Sequence, residues 1–118
     1  MMHAAVVSFH TNPYTCGVAR FNHSLAAALG VPLIPLDSYL DSGDSARVML
    51  SIKLEEITAT TLSRLGSTLK QRSLNYDLFL HAVDGSELEQ ALLSHAGRVF
   101  AASAEIADRV RTSRPDVT

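Results

Sequence analysis

The segment from Cys16 to Arg20 is the strongest candidate for a ligand-binding site in this sequence. It opens a helical stripe of apolar residues, so its backbone N–H groups and the positive end of the helix dipole favour an anion. Gly17 has no Cβ, which lets backbone amides approach a ligand closely. Arg20, one turn further on, adds a guanidinium suited to phosphate or carboxylate. The alternative is that Gly17 serves a tight turn and Arg20 is solvated, since no Walker loop or G-x-G-x-x-G pattern occurs.

His81 is the candidate for a catalytic residue. It follows the apolar segment YDLFL, which places an imidazole at the end of a predicted strand. Because histidine titrates near neutral pH, it suits proton transfer or hydrogen bonding to a ligand. The simpler interpretation is a structural histidine, and a Cys16 nucleophile using a histidine base is a minor alternative. The five histidines lack zinc-ligand spacing, and neither C-x-x-C nor H-E-x-x-H occurs, so we predict no metal site.

Further polar residues follow the ends of the predicted strands. In an open parallel sheet, ligands bind beyond the carboxyl ends of the strands, where the strand order reverses. We therefore expect five of these residues to line a cleft, although Asp84 with Gly85 is also a turn signal. The five are His10, Asn12, Tyr14, Asp84 and Ser103. Asp37, Lys53, Glu55 and Glu105 are predicted at the same edge.

The elements that position these residues alternate between strands and helices. Short apolar runs predict strands at residues 4–9, 31–36, 47–54, 76–83 and 98–102. The second strand contains prolines, which favour an edge position. A helix is predicted from Val18 to Leu29, with Gly30 as its C-cap. Further helices are predicted at residues 55–72, at 86–93 behind a Ser86/Glu89 capping box, and from Ser103 to a point before Arg114. Residues 37–45 are predicted to be an acidic loop.

This alternation predicts an α/β protein with a Rossmann-like, doubly wound sheet of about five mostly parallel strands and helices on both faces. The length of 118 residues allows one domain. The composition, 47% hydrophobic and 19% charged, excludes a disordered chain. A net charge of −2 offers no basic field for nucleic acid. The longest apolar run, 25–36, is broken by glycine and proline and is too short for a membrane span.

The N-terminus lacks a basic leader, so we expect no export signal. The single cysteine fits the reducing cytoplasm.

Three segments together resemble a known enzyme family. VVSFHTNPYTCGVARFNHSLAAALG resembles the opening of retaining, two-domain (GT-B type) glycosyltransferases of the group 1, family 4-like kind. YDLFLHAV is similar to a strand of that family that ends in histidine, and AGRVFAASAEIADRVR is similar to a later strand–helix segment. The matches occur in the family's order and span most of the chain, whereas residues 37–72 match only in outline.

The resemblance implies that residues 1–118 are the N-terminal, acceptor-side domain of such an enzyme, with 114–118 beginning a linker. Gly17 would lie against the donor diphosphate, assisted by Arg20, and His81 would lie near the transferred sugar. Family members often carry two glycines where this chain has Cys16-Gly17.

The implied partners are a C-terminal domain that binds the nucleotide-sugar and a sugar or glycolipid acceptor, with no cofactor bound by this domain alone. The implied location is cytoplasmic, with peripheral association at the inner membrane face left open, as is a homodimer.

The main alternative is a stand-alone Rossmann-like domain that binds an anionic metabolite at Gly17 without catalysis. A receiver or flavodoxin-like protein is disfavoured because receivers need an acidic cluster after the first strand, where this chain has Phe9-His10. A dinucleotide-dependent oxidoreductase is disfavoured because the glycine fingerprint is missing.

Overall fold

A computed structural model of the chain describes residues 3–12, 14–43 and 45–118. Its centre is a five-stranded, fully parallel sheet in the order β2-β1-β3-β4-β5, which confirms the predicted fold class. The order reverses between β1 and β3, and β2 is an edge strand as predicted. The strands are β1 (Ala5–Ser8), β2 (Leu33–Pro35), β3 (Val48–Ile52), β4 (Tyr76–Leu80) and β5 (Val99–Ala101).

The helices cover both faces of this sheet. They are α1 (Gly17–Leu29), α2 (Leu36–Ser42), α3 (Ala59–Gln71), α4 (Glu87–His95) and α5 (Ala104–Val110), and a 3₁₀ turn spans Leu54–Glu56. Right-handed crossovers place α1 on one face and α2, α3 and α4 on the other. On the α1 side, Val6 and Met49 pack with Ala26, whereas the larger core cluster lies on the opposite side. Phe79 and Phe100, also on the α1 side, are only half-buried.

The predicted C-terminal limit of α1 is confirmed, and the helix begins at Gly17, one residue before the predicted start. Cys16 is the N-cap, with its Sγ accepting a hydrogen bond from the backbone N–H of Ala19 at 3.4 Å. Gly30 ends the helix at φ 69°, a left-handed conformation that glycine adopts without the steric cost of a Cβ. The N-terminus of α1 therefore lies directly beyond the loop that follows β1.

The prediction of a loop at residues 37–45 was wrong, because residues 36–42 form α2. Leu36, Tyr39 and Leu40 have the i, i+3, i+4 spacing of a helical face, and all three are buried. The Arg64 guanidinium donates hydrogen bonds to Asp37 and Asp41 on the exposed face, and Gly43 ends the helix at φ 66°. The acidic residues lie on the solvent-exposed face of this short helix. The helix is stabilised by the contacts of its apolar face with the core.

The helix predicted at 55–72 begins four residues later than expected. Thr58 is its N-cap and accepts a hydrogen bond from the Thr61 N–H at 3.4 Å. Glu55 and Glu56 lie instead in the 3₁₀ turn before it, and Ile57 is extended and buried. This break holds the two carboxylates near the end of β3.

The last two helices are capped as predicted. The Ser86 Oγ accepts from the Glu89 N–H at 3.1 Å, and the Ser103 Oγ accepts from the Ile106 N–H at 3.2 Å. The buried carboxylate of Glu89 reaches past Ser86 and accepts from the backbone N–H groups of Asp84 (2.7 Å) and Gly85 (3.3 Å). This contact anchors the loop that follows β4.

Residues 114–118 contact the C-terminal end of α4 and strand β5. The Arg114 side chain donates to the carbonyl groups of Leu93, Ala96 and Gly97. The Thr118 N–H donates to the Val99 carbonyl at 3.0 Å. Within the described residues, no helix combines the length and apolar character needed to cross a bilayer.

A buried carboxylate lies at the opposite, amino-terminal edge of the sheet and contacts basic residues from three segments of the chain. Asp77 is fully buried and accepts hydrogen bonds from Arg47 Nε (3.2 Å) and the Arg98 backbone N–H (2.8 Å). His3 Nε2 lies 2.7 Å from Asp77 Oδ2, the oxygen that also accepts from Arg47 Nε. The charge is thus compensated far from the residues proposed for ligand binding.

We expect Gly97→Ala to lower the free energy of unfolding by about 1–3 kcal/mol. Its Cβ would lie 2.8 Å from Asp77 Oδ1 and 3.0 Å from Arg47 Nη2, so the buried ion pair would have to shift. Gly66→Ala is the matched control, because it lies inside α3 and its Cβ would meet only Leu88 at 3.8 Å. That control should stabilise the protein by about 0.5–1 kcal/mol. Urea denaturation measures both, and equal effects would contradict the steric argument.

Candidate functional site

A cavity of about 350 Å³ lies at the carboxyl edge of the sheet, where the first and fourth strands end. Gly17 from the start of α1 and His81 from the end of β4 both line it, as the residues past the strand ends predict. The full lining is Gly17, Val18, Phe21, Lys53, Glu56, Phe79, His81 and Ala102. A larger cavity of about 610 Å³ lies between α3 and α4. None of the residues predicted to follow the strand ends lines this larger cavity, so the smaller cavity is the candidate site.

Gly17 is exposed at the first position of α1. A Cβ added there would meet nothing within 4 Å, and its φ is not positive. Neither packing within the described residues nor backbone conformation therefore requires glycine at this position. What a side chain would change is the space open to a ligand near the helix N-terminus.

His81 lies between aromatic rings. Its ring stacks on Phe79 with centroids 5.1 Å apart and meets the edge of Phe21 at 5.0 Å. Its Nε2 is 2.8 Å from Ser51 Oγ, on the neighbouring strand β3. Packing and hydrogen bonding together hold the imidazole in one orientation at the cavity wall.

The pKa of His81 is lowered to about 4. Burial is the main cause, because it penalises the charged ring, and the Lys53 ammonium lowers the pKa further, whereas the Glu56 carboxylate opposes the shift. At neutral pH the imidazole is therefore uncharged. It can donate and accept hydrogen bonds but carries no positive charge for a phosphate.

Two residues of opposite charge, Lys53 and Glu56, line the cavity. Lys53 Nζ pairs with Glu55 Oε1 at 3.1 Å, and this contact raises the pKa of Lys53. The Cys16 thiol donates to Glu56 Oε2 at 3.5 Å, which places a carboxylate beside the N-cap of α1. An anionic ligand at Gly17 would meet Lys53 as a favourable charge and Glu56 as an unfavourable one.

The other predicted site residues are not among those that line this cavity. Arg20 is exposed on α1, and Tyr14 is 87% exposed in the preceding loop. Asn12 forms a local turn, accepting the Tyr14 N–H at 3.0 Å, and the His10 ring contacts Phe9.

Asp84 and Ser103 have local structural contacts. The Asp84 carboxylate accepts from the Ser86 N–H at 2.9 Å. Ser103 caps α5, one residue beyond Ala102 of the cavity.

Several residues at the site escaped the sequence analysis. Phe21 and Phe79 were assigned to a helix stripe and a strand, Glu56 to a helix, and Ser51 and Asn22 received no role. The signal available for the last two was a polar residue inside an apolar pattern: Ser51 interrupts a buried strand and Asn22 follows Phe21 on the packed helix. No spacing rule links residues so far apart in the sequence.

Among the described residues, no group of three His, Cys, Asp or Glu side chains could hold a metal ion. Comparison of the chain with protein-family models, with curated proteins and with solved structures gives no significant match.

Proposed function

We propose that this chain is the acceptor-side domain of a GT-B type glycosyltransferase and supplies one wall of the cleft in which a sugar passes from a nucleotide-sugar to an acceptor. The observation that carries the proposal is that Gly17 and His81 line one cavity at the carboxyl edge of the sheet. The resemblance of residues 6–30, 76–83 and 96–111 to that family names the same two residues.

The proposed chemistry follows from these groups. Breaking the bond between the sugar and the diphosphate leaves negative charge on the phosphate oxygens, and the N-terminus of α1 at Gly17 stabilises such charge. Lys53 adds a cation in the same cavity. The neutral His81 ring hydrogen-bonds the sugar and holds it for attack by the acceptor hydroxyl.

The proposal includes a second domain that holds most of the nucleotide, and a cytoplasmic location. The acceptor side is assigned to five residues that do not themselves line the cavity: His10, Asn12, Tyr14, Asp84 and Ser103. Arg20, exposed on α1, is assigned to the donor phosphates once the second domain closes. The chain alone should transfer no sugar, and measurable transfer by the purified 118-residue chain would contradict this assignment.

Binding of a uridine diphosphate hexose tests the proposal. Titrated into ¹⁵N-labelled protein to concentrations of about 1 mM and above, it should shift the amide signals of Gly17 and Val18 together with the ring signals of His81. Gly17→Ala should weaken binding about tenfold, since its methyl group occupies the ligand side, without lowering the free energy of unfolding. Gly66→Ala is the matched control and should bind as the wild type does.

Two outcomes contradict the proposal. NMR signal shifts confined to the cavity between α3 and α4, or no shifts at all, would show that the ligand does not bind at Gly17 and His81. Inorganic pyrophosphate binding as tightly as the sugar nucleotide, with His81 unaffected, would support the stand-alone anion-binding domain instead.

A further inference from the structure

We propose that Ser51, Asn22 and Ser8 form a one-directional hydrogen-bond chain that keeps the His81 proton on Nε2 and leaves Nδ1 as a hydrogen-bond acceptor. The three are positioning residues for His81. Their effect on the position of the His81 proton does not depend on the proposed function. The consequence of that position for a sugar ligand does rest on the proposed function.

The chain crosses the interior of the domain at the point where the strand order reverses. Ser8 ends β1, Asn22 lies in α1 and Ser51 lies in β3, and each is at most 1% exposed. Asn22 Nδ2 contacts Ser8 Oγ at 2.8 Å and the Ser51 carbonyl oxygen at 2.9 Å. The Ser51 hydroxyl contacts Asn22 Oδ1 and lies 2.8 Å from His81 Nε2.

The Ser51 carbonyl decides the orientation of the Asn22 amide. A carbonyl oxygen only accepts, so the amide end beside it is the Nδ2 donor, and Oδ1 necessarily faces the Ser51 hydroxyl. An amide oxygen also only accepts, so Ser51 gives its single hydroxyl proton to Oδ1. The Ser51 oxygen is then left to accept, and the proton between Ser51 and His81 belongs to His81 Nε2.

The far end of the chain has the same direction. Ser8 Oγ accepts from Asn22 Nδ2 and donates to the backbone carbonyl of His10 at 2.8 Å. Two backbone carbonyls, those of Ser51 and His10, therefore orient every proton in the chain. Reversing one bond would leave a buried donor facing a donor, which costs about 1–3 kcal/mol.

For the neutral ring, a proton on Nε2 means a lone pair on Nδ1. Among the described residues, Nδ1 of His81 has no hydrogen-bond partner. The charged groups that act on the ring are Lys53 and Glu56, and its aromatic neighbours are Phe21 and Phe79. A ligand group that meets Nδ1 must therefore be a donor, such as a hydroxyl. A deprotonated phosphate oxygen can only accept a hydrogen bond, so it cannot form one with the unprotonated Nδ1.

Proton placement can be measured on the intact chain without a ligand. In protein labelled with ¹⁵N-histidine at pH 7, long-range ¹H–¹⁵N correlation should show His81 with a protonated Nε2 and an unprotonated Nδ1. Ser51→Ala removes the acceptor and should produce a mixture of both tautomers. Ser51→Thr keeps the hydroxyl and should retain the wild-type tautomer. A wild-type ring protonated on Nδ1, or an unchanged tautomer in Ser51→Ala, would overturn the proposal.

A ligand titration separates this inference from the proposed function. If both hold, Ser51→Ala should weaken uridine diphosphate hexose binding about fivefold, the value of one hydrogen bond, and leave pyrophosphate binding unchanged. The predicted tautomer without any sugar-nucleotide binding would uphold the hydrogen-bond chain and contradict the glycosyltransferase assignment. Equal weakening for both ligands would contradict the role of Nδ1 as an acceptor for the sugar.

Discussion

Asp77→Asn is expected to lower the free energy of unfolding by about 3 kcal/mol. The substitution keeps the side-chain volume but removes the negative charge from a fully buried position that faces Arg47 and His3. The amide also presents an N–H group to one of these donors, so at least one buried hydrogen bond is lost. This loss of unfolding free energy is at the lower end of the range for breaking a buried ion pair, because the Arg47 side chain is 35% exposed and is partly rehydrated.

Asp108→Asn is the matched control for this prediction. Asp108 also pairs with an arginine, Arg111, but both side chains are largely exposed, so the loss should stay within about 0.5 kcal/mol. Urea denaturation at pH 7 measures both variants. Comparable losses would show that Asp77 contributes no more than a surface ion pair.

The same carboxylate predicts how stability depends on pH. Burial alone would raise the pKa of Asp77, but hydrogen bonds from Arg47, His3 and the Arg98 N–H outweigh it and hold the pKa below the ordinary value of 3.8. The folded state therefore binds this proton less readily than the unfolded state. The stabilisation is complete above pH 3.8 and is lost as the pH falls through the folded-state pKa. Asp77→Asn should flatten the acid limb of the stability curve.

The second large effect concerns His81. In the complete enzyme that the proposed function implies, His81→Ala should lower kcat/KM by about 10²-fold or more, because the sugar loses a positioned partner. His81→Gln places an amide nitrogen where Nε2 contacts Ser51 but supplies no equivalent of Nδ1. It should preserve the fold and lose nearly as much activity. His23→Ala, at an exposed histidine of α1 that does not line the cavity, is the control, and an equal loss there would refute the assignment.

The pH behaviour of His81 provides a separate measurement. Its pKa of about 4 means that the ring stays neutral, and sugar binding should persist, from pH 7 down to about pH 5. The folded-state pKa lies below the ordinary value of 6.5, so the unfolded chain takes up this proton first. Stability due to the buried neutral ring is complete above pH 6.5 and declines as the pH falls towards 4. A ring that titrates near 6.5 in the folded protein would contradict both expectations.

Local signals in the sequence were sufficient for most of the fold. Three signals each act over a few residues: the apolar stripe of α1, its Gly30 cap and the prolines of the edge strand. Their effect can therefore be predicted without the rest of the chain. The two errors have a common cause. Residues 36–42 are too short and too acidic to form a helix without packing, and Thr58 competes with the acidic pair before it for the start of α3. Contacts with the core decided both cases.

The sequence by itself determined the α/β class, the direction of the strands and the edge at which ligand-binding residues collect. These properties depend on short-range periodicity and on the handedness of crossovers, and they placed Gly17 and His81 at the same edge. Only the tertiary structure decided which residues surround them. Ser8, Asn22, Ser51 and His81 are brought together by the pairing of β1, β3 and β4 around α1, and the direction of their hydrogen bonds depends on backbone carbonyls that no sequence motif encodes. Proton placement on His81 is therefore a property of the folded chain, because it requires groups separated by up to 73 positions to share one buried network.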